Sequence, residues 1–179
     1  IHLVEDILAL SSLDSQAAIS QSEQELVNVI VYMDSIYSLM ERLAEDKDIK
    51  WSIQIDKDLK EVPFNSNHFK QLMINLIDNA IKYNKKGGYV NVKMYTKDSH
   101  AIIEVQDNGI GIPKSNLPRV FERFYRVDKG RSRQAGGTGL GLAIVKHIVQ
   151  VNNSKIRVES TVDEGTTFIV EIPLQAEDL

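Results

Sequence analysis

Three groups of residues in this chain are of types and spacings that could do chemistry. Asp107-Asn108-Gly109-Ile110-Gly111-Ile112-Pro113 sets one carboxylate ahead of two glycines. Gly136-Gly137-Thr138-Gly139-Leu140-Gly141-Leu142 runs straight into the apolar stretch Ala143-Ile144-Val145. Glycines at that density bring no side chains to a core and serve where backbone must take positive φ or come close to something else. A glycine loop that opens a helix aims unpaired N–H groups and the positive end of the helix dipole at one point, which suits phosphate. The acid-bearing run differs: its carboxylate can accept a hydrogen bond while bare backbone lets a flat ring approach. One run suits a base and the other suits phosphates, so a nucleotide site is the first expectation. Neither run is a P-loop, whose lysine is missing, and the second does not follow a strand as a dinucleotide fingerprint would.

The third group is Asn75, Asn79 and Lys82, at i, i+4 and i+7. On a helix they share one face. Asparagine is a poor helix former, so two on one face among apolar neighbours ask for a reason. A solvated polar stripe is one. The other is amide oxygens aimed at a hydrated Mg²⁺, with Lys82 facing phosphate.

These residues need a scaffold, and its elements are legible. Residues 25–27 read as a short strand, after which Asn28 caps a helix to about Asp46 with Val29, Ile36, Leu39, Met40 and Leu43 as its core stripe. Residues 51–55 alternate as a strand with one buried face. Asn65 caps a second long helix from Ser66 to about Tyr83, carrying the asparagines. Strands at 90–95 and 101–105 form a hairpin that delivers the chain to Asp107. Residues 117–125 read as a short helix presenting Phe121 and Phe124. Residues 126–135, with Arg126, Lys129, Arg131 and Arg133, read as an ordinary disordered surface loop or as a basic lid between the two ligand loops, two readings that are compatible. A helix after Gly141 and strands at 155–159 and 167–172, joined by a turn at 163–165, complete an α+β sandwich.

The 179 residues, 42% hydrophobic, suit one main domain. A net charge of -4 gives no global basic field for nucleic acid. Cysteine is absent, which excludes disulfides and thiolate metal sites and is compatible with a reducing cytoplasm. No apolar run reaches membrane-spanning length. Leu3, Ile7, Leu10 and Leu13 form an apolar stripe that needs another helix to cover it. That stripe starts abruptly at Ile1, as expected of a piece cut from a longer chain.

The motifs together resemble the catalytic domain of bacterial sensor histidine kinases. Asn75-Leu76-Ile77-Asp78-Asn79-Ala80-Ile81-Lys82-Tyr83 looks like their N box and residues 107–113 like their G1 box. Val120-Phe121-Glu122-Arg123-Phe124-Tyr125-Arg126 resembles the F box and residues 136–142 the G2 box. The resemblance implies the Bergerat ATP-binding sandwich: a mixed, mostly antiparallel sheet with helices on one face, shared with gyrase, Hsp90 chaperones and MutL. It divides the chain into the end of a dimerisation helix (1–14), a linker (15–24) and a catalytic domain (25–175).

It also implies roles. Asp107 would accept from the adenine amine, with Gly109, Gly111 and Ile112 forming the base loop. Asn75 and Asn79 would hold Mg²⁺, Lys82 would meet phosphate, and Tyr83 would line the nucleotide. Gly137, Thr138, Gly139, Leu140 and Gly141 would surround the phosphates, and Arg126 would face the γ-phosphate during transfer. ATP would give its γ-phosphate to a histidine on a dimerisation domain, for relay to a response regulator. The parent would be a homodimer in the bacterial membrane, anchored by upstream segments, with this domain cytoplasmic. The box around the accepting histidine is absent, and His2 does not replace it. Where the family usually shows His-Gly-Gly after the last helix, this chain has Asn152-Asn153-Ser154, expected to be a local loop change. An ATPase, chaperone-like or anti-sigma serine-kinase module on the same fold is the alternative. Those relatives resemble one another in carrying a glutamate where Asn75 stands, to activate water, and an amide cannot take a proton.

Overall fold

The computed structural model describes residues 25–127 and 138–174. The expected dimerisation helix, the linker, most of the basic lid, Gly136 and Gly137 lie outside those residues. Strand β1 (Glu25–Asn28) leads into helix α1 (Val29–Glu45), followed by β2 (Lys50–Ile55), β3 (Glu61–Phe64) and helix α2 (Ser66–Lys82). Then come β4 (Tyr89–Lys97), β5 (His100–Asp107), a 3-10 turn at Leu117–Arg119, helix α3 (Gly141–Val151), β6 (Lys155–Thr161) and β7 (Gly165–Pro173).

Both long helices start where an asparagine can cap them. Asn28 accepts from the Val31 N–H at 3.2 Å and Asn65 from the His68 N–H at 3.1 Å, each satisfying a first-turn donor. The five-stranded sheet runs β2-β4-β5-β7-β6, antiparallel except for the parallel pair β2–β4, and β1 pairs with β3 in a separate two-stranded ribbon. Alternate residues of the sheet, among them Val92, Met94, Ile103, Val105, Val170 and Ile172, are buried with Met33, Ile36, Leu72, Met73, Leu76 and Ile144 of the helices in one core. A sheet with one helix-covered face is the α+β sandwich that the sequence implied. Among the described residues no helix is long and apolar enough to cross a membrane.

The structure corrects several details. Leu39 and Leu43 are not core residues: they are 53% and 44% exposed, and Met33 and Ala44 take the buried stripe with Val29, Ile36 and Met40. Strand β3 was unexpected, since four residues with Pro63 in the middle carry little strand signal. Residues 117–125 do not form a helix beyond the 3-10 turn. Pro118 stands within that turn, and Phe124 takes φ 62°, which no helix continues.

Candidate functional site

Asp107 ends β5, where the ladder pairs it with Val90 of β4 on one side and Thr166 of β7 on the other. It therefore points from the middle of the sheet into the layer below the helices, and it is 7% exposed. Burial raises its pKa to about 6, against the downward pull of backbone N–H groups from Gly109 and Thr166. The Gly109 N–H lies 2.8 Å from Oδ1.

The loop after Asp107 is wedged between the end of α2 and the β6–β7 turn. A Cβ on Gly109 would run into the Tyr83 carbonyl, and Gly111, at φ 67°, turns its bare face onto the Thr161 carbonyl. The Ile110 N–H donates to Tyr83 O at 3.1 Å, Ile110 O accepts from Asp163 at 2.9 Å, and the Ile112 N–H donates to Ser160 Oγ at 2.8 Å. Both glycines are needed where this backbone is squeezed from two sides.

An open cleft extends from Asp107. Asn79 and Tyr83 of α2, Ile110, Gly111 and Ile112 of the loop, Leu142 of α3, and Tyr125, Arg126 and Val127 line it, with Val120, Thr166 and Phe168 at its floor. Tyr125 is fixed by Asn116, whose Nδ2 donates to the phenol at 2.6 Å, and by Arg119, whose guanidinium lies 4.3 Å from the ring centre. The Nε and Nη2 of Arg126 are buried without a hydrogen-bond partner among the described residues. A half-buried arginine with such unspent donors beside a cleft is a place for an anion.

Helix α3 opens beside the cleft. Its N-cap, Leu140, is fully buried and supplies no side-chain cap to the first-turn N–H groups. Gly139, at φ 76°, accepts from the Phe124 N–H at 2.9 Å, and Thr138 Oγ1 accepts from the Leu140 N–H at 3.3 Å. Gly141 faces Asn75, so that a Cβ there would lie 3.2 Å from Asn75 Oδ1. Asn75 therefore sits at the mouth of α3, one turn along α2 from Asn79 in the cleft wall. Lys82 does not line the cleft; it bonds Asp78 at 2.7 Å, with its side chain 35% exposed. Among the described residues no group of three His, Cys, Asp or Glu could hold a metal.

Sequence reasoning missed Tyr125, Thr166 and Phe168. The last two come to the site only through strand pairing, and nothing local in the sequence announces β7 as the neighbour of β5.

Comparison with known proteins bears on the family and the fold. The family model described as histidine kinase-, DNA gyrase B-, and HSP90-like ATPase matches residues 64–176. The signal transduction histidine-protein kinase ArlS of Staphylococcus aureus is 40% identical over 172 residues, covering 94% of this chain and 36% of that protein. The chain thus spans about a third of the length of the relatives it matches. Among solved structures, the catalytic domain of histidine kinase ThkA superposes with a TM-score of 0.74 at 26% identity, covering 86% of this chain and 97% of that one. ThkA in complex with the response regulator protein TrrA shares the fold, with a TM-score of 0.69 at 22% identity over 96% of this chain and 49% of that one.

Proposed function

Because this chain belongs to the family of histidine kinase-, DNA gyrase B- and HSP90-like ATPases, and is homologous to two-component sensor kinases, we propose that it binds ATP and transfers the γ-phosphate to a histidine of a separate dimerisation domain. The observation that carries this is the cleft itself, with a buried carboxylate at one end and, along its wall, two Arg126 guanidinium nitrogens that have no hydrogen-bond partner among the described residues. Asp107 accepts the exocyclic amine of adenine, and Ile110, Ile112 and Phe168 cover the ring. Gly139, Leu140 and Gly141 offer N–H groups to the phosphates at the opening of α3. Asn75 and Asn79 would hold Mg²⁺, which supplies charge neutralisation to the phosphates. Lys82 meets phosphate only by leaving Asp78.

The reaction is an in-line displacement. The lone pair of a neutral imidazole nitrogen forms a P–N bond to the γ-phosphorus as the P–O bond to ADP breaks, and ADP leaves with that electron pair. Such transfer depends on positioning and charge stabilisation rather than on a strong base. Arg126 is placed to stabilise charge on the phosphoryl oxygens as they separate. Asn75 is why water is not activated in place of the imidazole. The phosphohistidine is passed to a response regulator, the class of partner seen with ThkA. The whole protein is a homodimer anchored in the membrane outside this domain, which faces the cytoplasm.

The test mixes this chain with a dimerisation helix pair from a sensor kinase and ATP labelled at the γ position. Acid-labile label should appear on the helix pair. Asp107→Asn should lower ADP affinity roughly ten- to a hundredfold, the scale of one charge-assisted bond. Arg126→Ala should slow transfer far more than it weakens ADP binding. Steady ATP hydrolysis without the acceptor, or equal affinity for ADP and GDP, would overturn the reading.

A further inference from the structure

Lys47 lies just past α1, outside every glycine- or asparagine-rich motif, yet its ammonium reaches the helix that carries the site. The chain turns back there because Asp48 takes φ 56° and the Ile49 N–H donates to Ala44 O at 2.8 Å, a Schellman-type stop. Lys47 Nζ then donates to the carbonyls of Ile81 at 3.1 Å and Lys82 at 2.7 Å. These carbonyls belong to the last turn of α2, the negative end of its dipole; Ile81 O also accepts from the Asn84 N–H at 3.3 Å. Burial pulls the lysine's pKa down, opposed by Asp78 and aided by Lys82. A partly desolvated ammonium kept on two carbonyls marks a fixed contact, unlike a surface lysine in water.

The residue that follows those two carbonyls is Tyr83. Its side chain lines the cleft, and its carbonyl holds the Ile110 N–H at 3.1 Å, at the point where Gly109 must lack a Cβ. Gly109 in turn donates to Asp107 at 2.8 Å. Contacts therefore run without a break from Lys47 through the last turn of α2 to the loop beside the buried carboxylate. We propose that Lys47 is a positioning residue for base recognition, fixing the height of Tyr83 and so the place where residues 108–112 present Asp107. The proposal rests on the reading of Asp107 as the adenine acceptor. A lysine that only steadied a helix end would alter unfolding and leave the selectivity of the folded site alone.

The experiment uses the whole 179-residue chain with Lys47→Met and Lys47→Arg, well below the melting temperature of each. Calorimetry with ADP and GDP is paired with amide exchange at Ile110 and, as a control, at Val92. Lys47→Met should lower ADP affinity roughly three- to tenfold, less than loss of a direct charged contact, and narrow the preference over GDP by a similar factor. Exchange should quicken at Ile110 and not at Val92. Lys47→Arg, whose guanidinium can reach two carbonyls, should restore both readouts. If the methionine variant does not fold, Lys47→Gln keeps one donor and should show the same changes at smaller amplitude. An unchanged ADP-to-GDP preference, or a loss equal for both nucleotides, overturns the role of Lys47. If the unmodified chain itself does not distinguish ADP from GDP, the adenine reading has failed, and exchange at Ile110 alone then decides whether Lys47 holds the loop.

Discussion

Asp107 carries a charge that the fold makes costly. A rise from 3.8 to about 6 corresponds to about 3 kcal/mol against the ionised form. The sign follows from proton counting: between pH 4 and 6 the folded state holds more protons, so this residue's contribution to stability falls as pH rises through that window. A ligand amine that donates to the carboxylate favours the ionised form, and its affinity must fall below pH 6. Calorimetric ADP affinity should drop by up to about tenfold per pH unit below 6, while in Asp107→Asn it should be weak and flat across that range. The carboxylate was legible in the sequence from its place before two glycines. Its burial was not, because Asp107 is flanked by Val90 of β4 on one side and on the other by Thr166 of β7, 59 positions away in number but adjacent in the ladder. Gly165 belongs to the same contact. At φ 128° it brings its bare Cα against the Asp107 carbonyl, so Gly165→Ala should cost more than about 2 kcal/mol in urea unfolding and also weaken ADP binding, although it lies in none of the motifs.

Among the elements, helices were read well and their environment less so. The caps Asn28 and Asn65 are local signals, and both mark the observed starts. Which apolar residues face inward depends on the partner helix, hence the exposed Leu39 and Leu43. The Asn152 turn shows the same limit. It is far from the cleft but is more than a loop change: Asn152 is 3% exposed and latches the end of α3 to the start of α2. Its Oδ1 accepts from Asn65 N–H at 3.0 Å, and its Nδ2 donates to Ile148 O at 2.8 Å and faces His68 Nδ1 at 3.1 Å. Asn152→Ala should cost about 1–3 kcal/mol for each buried group left unpaired, read as a lower urea midpoint with an unchanged slope. His68 must accept that bond, so its Nδ1 must be unprotonated. Burial lowers its pKa, with His147 adding to the effect. Its contribution to stability is therefore complete above pH 6.5 and is lost as pH falls through the lower folded value. Midpoints measured from pH 8 to pH 5 should show this loss, and His68→Gln should remove most of it.

For the whole molecule, the order of strands in space departs from their order along the chain. The hairpin β4–β5 was visible as two alternating runs with a turn between them. The parallel pairing of β2 with β4 was not, because it needs β3 and α2 to carry the chain over, and no residue pattern in either strand records its partner. Strand β7 is the most displaced, sitting between β5 and β6 although it is the last described strand. On a ribosome, this arrangement imposes a delay. Until residue 173 has left the exit tunnel, β5 has one bare edge, the Asp107 carboxylate has no Thr166 over it, and the loop has no β6–β7 turn to rest on. A nascent chain stalled before β7 would carry all three chemistry-bearing motifs and still lack the finished cleft. The bare β5 edge would also be open to stray strand pairing for as long as translation lasted.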